Sequence, residues 1–191
     1  MTSPLATLVV DNLSPFTPDI LACLDKLGTT YVYRKYSEVT QDDLTTKCKR
    51  VILSGRRRND QAINAANSQI VRHCHDNDVP LLGICYGAEI IALTLGGSIR
   101  RMPSHLHGQI EITATSPNPL VPAEKDSRIS VYESHGFCIA RLPEGFVRLA
   151  GSKYCEYEIF AHKTKKIYGT QFHPEKSGPD GLDLLEKFTR I

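Results

Sequence analysis

The 191-residue sequence has no excess of charge of either sign: Lys+Arg is 23 against Asp+Glu 21, a formal net charge of +2. That balance removes the electrostatic case for a nucleic-acid binder, whose domain usually carries a strong basic excess. No apolar run approaches the roughly 20 residues needed to span a bilayer, so no membrane association is expected. Residues 1–4 lack the basic start and long apolar stretch of a secretory signal, which predicts a cytoplasmic protein. The six cysteines (Cys23, Cys48, Cys74, Cys85, Cys138 and Cys155) include no Cys-x-x-Cys pair. A zinc ribbon and a thioredoxin-type redox motif are therefore not indicated, and reduced thiols that mostly fill the core are expected. Repeats, low-complexity segments and Ser/Gly/Pro-rich linkers are missing too. With 41% hydrophobic and 23% charged residues, the expectation is one globular domain over residues 1–191.

What is present is an alternation of short β-rich runs and helical stretches. Residues 6–10 form an apolar run ending at Asp11 and Asn12. Thr17-Pro18-Asp19 reads as a helix start, with a capping hydroxyl, Pro in the first turn and an acid facing the dipole. Ile20, Leu21, Leu24 and Leu27 follow at helical spacing, and Gly28 closes the helix. Strands are expected at 29–33, at 51–53 running into Ser54-Gly55, and at 79–84 running into Cys85; residues 62–75 have helical periodicity. Near-continuous apolar strands separated by helices imply a parallel sheet covered on both faces. From Ser98 to about Phe172, Pro, Gly and Asn break the chain into short β segments, as antiparallel additions would. Residues 179–191 read as a closing helix, with Leu182, Leu185 and Phe188 on one face and Leu184 beside them. The expected fold is α/β: an open, mostly parallel sheet with helices on both faces and antiparallel β additions in the second half.

Gly83-Ile84-Cys85-Tyr86-Gly87 sits where a buried strand turns sharply into a helix. Glycines two positions either side of Cys85 follow the spacing of a nucleophile elbow, which tolerates only small neighbours. The turn places the sulfur at the carboxyl end of the sheet, where open α/β folds bind ligands. It also lies at a helix N-terminus, which favours thiolate over thiol and leaves the next N–H free for an oxyanion. The competing reading is a core cysteine between two turn glycines. A thiolate nucleophile needs a base and a group to orient it. Near the C-terminus His173 follows a strand-like run, Pro174 stiffens the turn, and Glu175 can reach back to fix one imidazole tautomer. Alone, His173 would read as a surface-turn histidine. His73, Cys74 and His75 point in different directions on a helix, and His105 and His107 lack acidic or cysteine partners, so no metal site is expected. Cys138 and Cys155 read as core residues.

Together, Gly83-Ile84-Cys85-Tyr86-Gly87 and Gln171-Phe172-His173-Pro174-Glu175 resemble the class I glutamine amidotransferases, and the resemblance extends over nearly the whole chain. Val10-Asp11-Asn12, Ser54-Gly55, His107-Gly108 and Ser134-His135-Gly136 fall where that family has its landmarks. The resemblance implies a flavodoxin-like sheet and L-glutamine as substrate. It implies Cys85 as nucleophile, His173 as base and then acid, and Glu175 as its orienting group. It further implies an oxyanion hole from the Gly55 region and the N–H of Tyr86, with Ser134 and His135 holding glutamine through their backbone. The chain departs from the family at Ala88-Glu89, where His-Gln or Met-Gln is usual. Glu89 keeps acceptors for the substrate's α-ammonium, loses the amide donors and adds a charge; the alternative is that it turns outward. The second departure is Ser54-Gly55-Arg56-Arg57-Arg58, where Gly-Gly-Pro or Pro-Gly-Pro is common. A solvated basic loop is the favoured reading there, and an anion or partner contact the other.

The stretches Tyr132-Glu133-Ser134-His135-Gly136, residues 142–146 and residues 149–152 look most like the glutaminase subunits of GMP synthases. Residues 11–17 are similar to anthranilate and aminodeoxychorismate synthase glutaminases, and residues 173–178 to imidazole glycerol phosphate synthase. A free-standing thiol hydrolase of γ-glutamyl compounds and a non-catalytic regulatory binding protein stay open as other classes. No Gly-x-x-x-x-Gly-Lys-Ser/Thr loop is present. The resemblance therefore implies no cofactor in this chain and a partner that is a separate synthetase subunit, with ATP and Mg on that partner. The ATP-pyrophosphatase subunit of GMP synthase is favoured.

Overall fold

The computed structural model describes residues 6–121 and 126–191; residues 1–4, whose composition was read above, lie outside them. The chain runs β1 (Ala6–Asn12), α1 (Thr17–Lys26), β2 (Tyr31–Lys35), β3 (Cys48–Arg56), α2 (Gln61–Asp76), β4 (Leu81–Ile84) and α3 (Tyr86–Thr94). It continues through β5 (Ser98–Ala114), β6 (Arg128–Arg141), β7 (Phe146–Gly151), β8 (Ile159–His162), β9 (Ile167–Thr170) and α4 (Gly178–Thr189). These nine strands lie in one sheet, ordered β2-β1-β3-β4-β9-β8-β7-β5-β6. The first five in that order are parallel, and β8, β7, β5 and β6 join antiparallel. Among the described residues no helix is long and apolar enough to cross a membrane.

Alternate side chains of the parallel strands feed two cores, one on each face. Val9, Ile52 and Leu82 pack with Ile20 and Leu24 of α1 and Leu184, Leu185 and Phe188 of α4. Leu8, Val51 and Leu81 pack with Ile63, Ile70 and Cys74 of α2 and Ala88 and Ile91 of α3. Helices thus cover both faces, as the apolar strands require. Cys138 and Cys155 are buried beside Met102, and Cys74 is buried in the α2 core.

Three local expectations are corrected. The Thr17 hydroxyl does not cap α1; it donates to Asp11 Oδ1 at 2.7 Å, and Phe16 holds the cap position. Leu184 rather than Leu182 completes the buried face of α4 with Leu185 and Phe188. The second-half strands are not all short, since β5 runs 17 residues and β6 runs 14. Pro103 is tolerated because β5 pairs with β6 along one edge and with β7 only at Thr113 and Ala114. The ladder also shifts register between Arg101 and Leu106, so the missing N–H breaks no regular pairing.

Candidate active site

Four neighbouring strands deliver the site at their carboxyl ends: Asp11 and Asn12 from β1, Gly55 from β3, Cys85 just beyond β4, and His173 just beyond β9. Cys85 occupies the turn from β4 into α3 at φ +52° and ψ −106°. This left-handed backbone, uncommon for a side-chain-bearing residue, aims the side chain away from the strand. The glycines around it are required by close approach. A Cβ on Gly83 would run into the Gly87 carbonyl, and one on Gly87 into the Leu53 carbonyl of β3. The Cys85 N–H is anchored to Thr170 O of β9 at 2.7 Å.

His173 lies against Cys85, and the two side chains interact electrostatically. Its Nδ1 is 2.8 Å from Glu175 Oε1, so Nδ1 carries the proton given to the carboxylate and Nε2 is left for the sulfur. The backbone of His173 is clamped as well, by its N–H to Tyr132 O at 2.9 Å and by the Ser177 hydroxyl donating to its carbonyl at 2.6 Å. The Phe16 ring meets the imidazole edge-on at 4.8 Å. Burial pushes the Cys85 thiol up and the adjacent His173 pulls it back. Burial depresses His173, but Glu175 and Cys85 outweigh that and hold it well above its ordinary value. An imidazole that holds a proton beside a sulfur is the arrangement of a thiolate–imidazolium pair.

Gly55 is close enough that an added Cβ would sit 3.1 Å from His173 Cε1 and 3.8 Å from Cys85 Cβ. The peptides on either side of it are fixed: Asn12 Nδ2 donates to Ser54 O at 3.0 Å, and the Ser54 hydroxyl donates to Gly55 O at 2.9 Å. Arg56 is not part of a solvated loop. Its guanidinium lies 3.9 Å above the Tyr86 ring, and its Nη1 donates to Asn64 Oδ1 at 2.6 Å. Arg57 and Arg58 are exposed and line the mouth.

A cavity of about 230 Å³ opens over Cys85, bordered by Arg56–Arg58, Tyr86, Glu89 and the Ser134–Phe137 stretch of β6. The site residues singled out from the sequence therefore gather at this one place. Glu89 faces inward, only 7% exposed, with Gln171 Nε2 donating to its Oε1 at 3.3 Å; burial raises its pKa. The outward-turned alternative is excluded. Ser134 and His135 line the same cavity, and His135 is itself buried. Residues not singled out earlier also build the site: Phe16 and Ser177 fix His173, Gln171 holds Glu89, and Glu133 contacts His135. Glu133 had a signal, because Ile129, Val131, Glu133 and His135 alternate on one face of β6. Phe16 had none, since its partner His173 is distant in sequence, and Ser177, although only four residues past His173, is an ordinary turn residue by type.

A cysteine at a strand-to-helix elbow, a histidine paired with a glutamate, and an open sheet that gathers them define a thiol-dependent acyl-transfer site. The chain belongs to the glutamine amidotransferase class-I family, whose sequence model matches residues 8–191. It is 36% identical over 188 residues to a glutamine-hydrolyzing GMP synthase subunit of Methanoculleus marisnigri, covering 98% of each chain. It is 30% identical over 188 residues to the longer glutamine-hydrolyzing GMP synthase of Nitratiruptor sp., covering 96% of this chain but 36% of that one. Its fold matches a Thermoplasma acidophilum crystal structure provisionally described as a GMP synthase subunit, with a TM-score of 0.86 and 29% identity over 97% of this chain and 92% of that one.

Proposed function

We propose that this chain is the glutaminase subunit of a two-chain GMP synthase, working as one amidotransferase unit over residues 1–191 in the cytoplasm. The Cys85 sulfur attacks the side-chain amide carbon of L-glutamine while His173 holds the displaced thiol proton. The tetrahedral oxyanion is met by the Tyr86 N–H and by the backbone at Gly55. His173 then gives its proton to the departing nitrogen, the C–N bond breaks, and ammonia leaves a thioester on Cys85. Water, deprotonated by His173, hydrolyses the thioester to glutamate and restores the thiol. Glu175 keeps His173 in the tautomer that both halves of the cycle need. Glu89 faces the α-ammonium end of glutamine, and the backbone of Ser134 and His135 holds the rest.

The observation that carries this reading is the Cys85–His173–Glu175 line, seated at a strained elbow under a cavity of about 230 Å³. A match covering 98% of a relative named as a GMP synthase subunit supports a partner synthetase that receives the ammonia. ATP and Mg would be bound by that partner. The test is Cys85→Ala in the assembled enzyme. Ammonia release from glutamine should vanish while synthesis from free ammonia persists; loss of both would contradict a separate glutaminase role.

A further inference from the structure

Below the cavity, three ionisable side chains form a line sealed from solvent. Glu133 and Glu158 are each 0% exposed and His135 is 4% exposed. His135 Nδ1 is 2.7 Å from the Phe137 carbonyl, and its Nε2 is 2.7 Å from Glu133 Oε2. Glu133 in turn touches Glu158, and the Ser152 hydroxyl donates to Glu158 Oε1 at 2.7 Å. The other two oxygens, Glu133 Oε1 and Glu158 Oε2, are buried with no donor group to meet them.

Counting protons decides what this line is. A carbonyl only accepts, so His135 Nδ1 must carry a hydrogen. One proton is then needed between Nε2 and Glu133, and one more between the two carboxyls. Two protons spread over two carboxyls and one imidazole give a line with no net charge, whichever atoms hold them.

We propose that Glu133 and Glu158 are positioning residues that share a proton, and through His135 set the Ser134–Gly136 stretch against which glutamine is held. The inference rests on the glutaminase reading given above. Losing the shared proton puts two carboxylates face to face in a dry site, which forces them apart and displaces β6 at that stretch. The groups facing the line are few: Glu89 of α3, His173 beyond β9, and the thiols of Cys138 and Cys155. His173, held protonated beside Cys85, is the one cation among them, and its charge lowers Glu133 without hydrogen-bonding either of the two orphaned oxygens. Burial lifts Glu133 to about 7 and Glu158 to about 8, and pulls His135 below its ordinary value. The pair titrates as a unit.

The sign follows from linkage. The folded line holds two protons near neutrality, whereas the unfolded carboxyls have lost theirs above about pH 4.3. Folding therefore takes up protons, and this contribution to stability falls as pH rises until the line itself deprotonates.

The experiment compares wild type with Glu158→Gln in the assembled enzyme, following ammonia release from glutamine across pH. Gln supplies a permanent N–H donor where the shared proton stood. Wild-type KM should climb towards tenfold per pH unit above about 8, and in the variant that limb should flatten, with the difference in KM rather than kcat. Should Gln fold poorly, Ser152→Ala removes the donor that lowers Glu158, together with the acceptor of the Tyr154 and Cys155 N–H groups, and the limb should move to higher pH. Turnover with the same alkaline KM limb in all three proteins overturns the inference alone. A wild-type enzyme that releases no ammonia from glutamine at any pH overturns the glutaminase reading, and the inference with it.

Discussion

Two buried carboxyl sites in this molecule solve the same problem in opposite ways. At the end of β1, Asp11 is ringed by fixed donors: Leu13 N–H at 2.9 Å, Ser14 N–H at 3.3 Å, the Thr17 hydroxyl at 2.7 Å and the Tyr33 hydroxyl at 2.8 Å. In the antiparallel half, Glu133 and Glu158 have each other. The first arrangement needs no proton from the carboxyl and ties down the loop that carries Ser14 and Phe16 beside His173. The second is held together by a proton that can leave. The parallel half thus holds its carboxyl with standing donors, while we attribute to the antiparallel half a contact that responds to pH.

The comparison breaks most severely at the elbow. Gly87→Ala drives a Cβ into the Leu53 carbonyl, backbone against backbone, with no flexible side chain to yield. We expect a loss of about 3 kcal/mol or more in urea unfolding, together with loss of glutaminase turnover. Gly136→Ala, on the antiparallel side of the same cavity, meets only His105 Cδ2 at 3.6 Å and should change stability by less than about 0.5 kcal/mol. Equal costs would mean that the two sides of the cavity are equally tight.

Asp11→Ala should cost about 2–3 kcal/mol, because it strands several donors in a part-buried loop. Asp11→Asn should recover much of that, since its carbonyl oxygen still accepts and the Tyr33 hydroxyl can turn to receive the amide. Neither change should alter the alkaline limb of the glutamine KM, which we attribute to the other carboxyl site. A limb that moves with Asp11 would erase the distinction between the two sites.

Much of the parallel half was legible because burial on both faces leaves a continuous apolar run, and because the elbow glycines stand at fixed spacing around Cys85. Those glycines single out Cys85, and a two-residue spacing pairs His173 with Glu175. The antiparallel half hid its geometry. Pro103 and Gly108 look like breaks, yet β5 passes through both: its second edge is mostly unpaired, and Gly108 is a half-buried residue at φ +107°. Glu158, flanked by Glu156 and Tyr157, reads as a solvated loop acid. Only the folding of residues 151–158 against β6 puts its carboxyl on Glu133, and no local pattern signals such a pairing.

Arg56 provides the smallest and finest test of that contrast. Among the three consecutive arginines it alone is anchored, stacked 3.9 Å over Tyr86 and bonded to Asn64, while the Tyr86 hydroxyl donates to the same Asn64 oxygen at 2.9 Å. The knot ties the end of β3, next to Gly55, to the first turn of α3, next to Cys85. Arg56→Lys keeps the charge but loses the planar face, and one ammonium cannot hold the ring and the amide in the same geometry. We expect a loss of about 0.5–1 kcal/mol and a fall in kcat of a fewfold, with KM little changed, because the groups displaced face the oxyanion rather than the substrate's amino-acid end. Arg57→Lys, in an exposed position with no such contacts, should leave both unchanged. If the two substitutions behave alike, the rigidity of the parallel side owes nothing to this side-chain knot and rests on the backbone bonds from Asn12 and Ser54 alone.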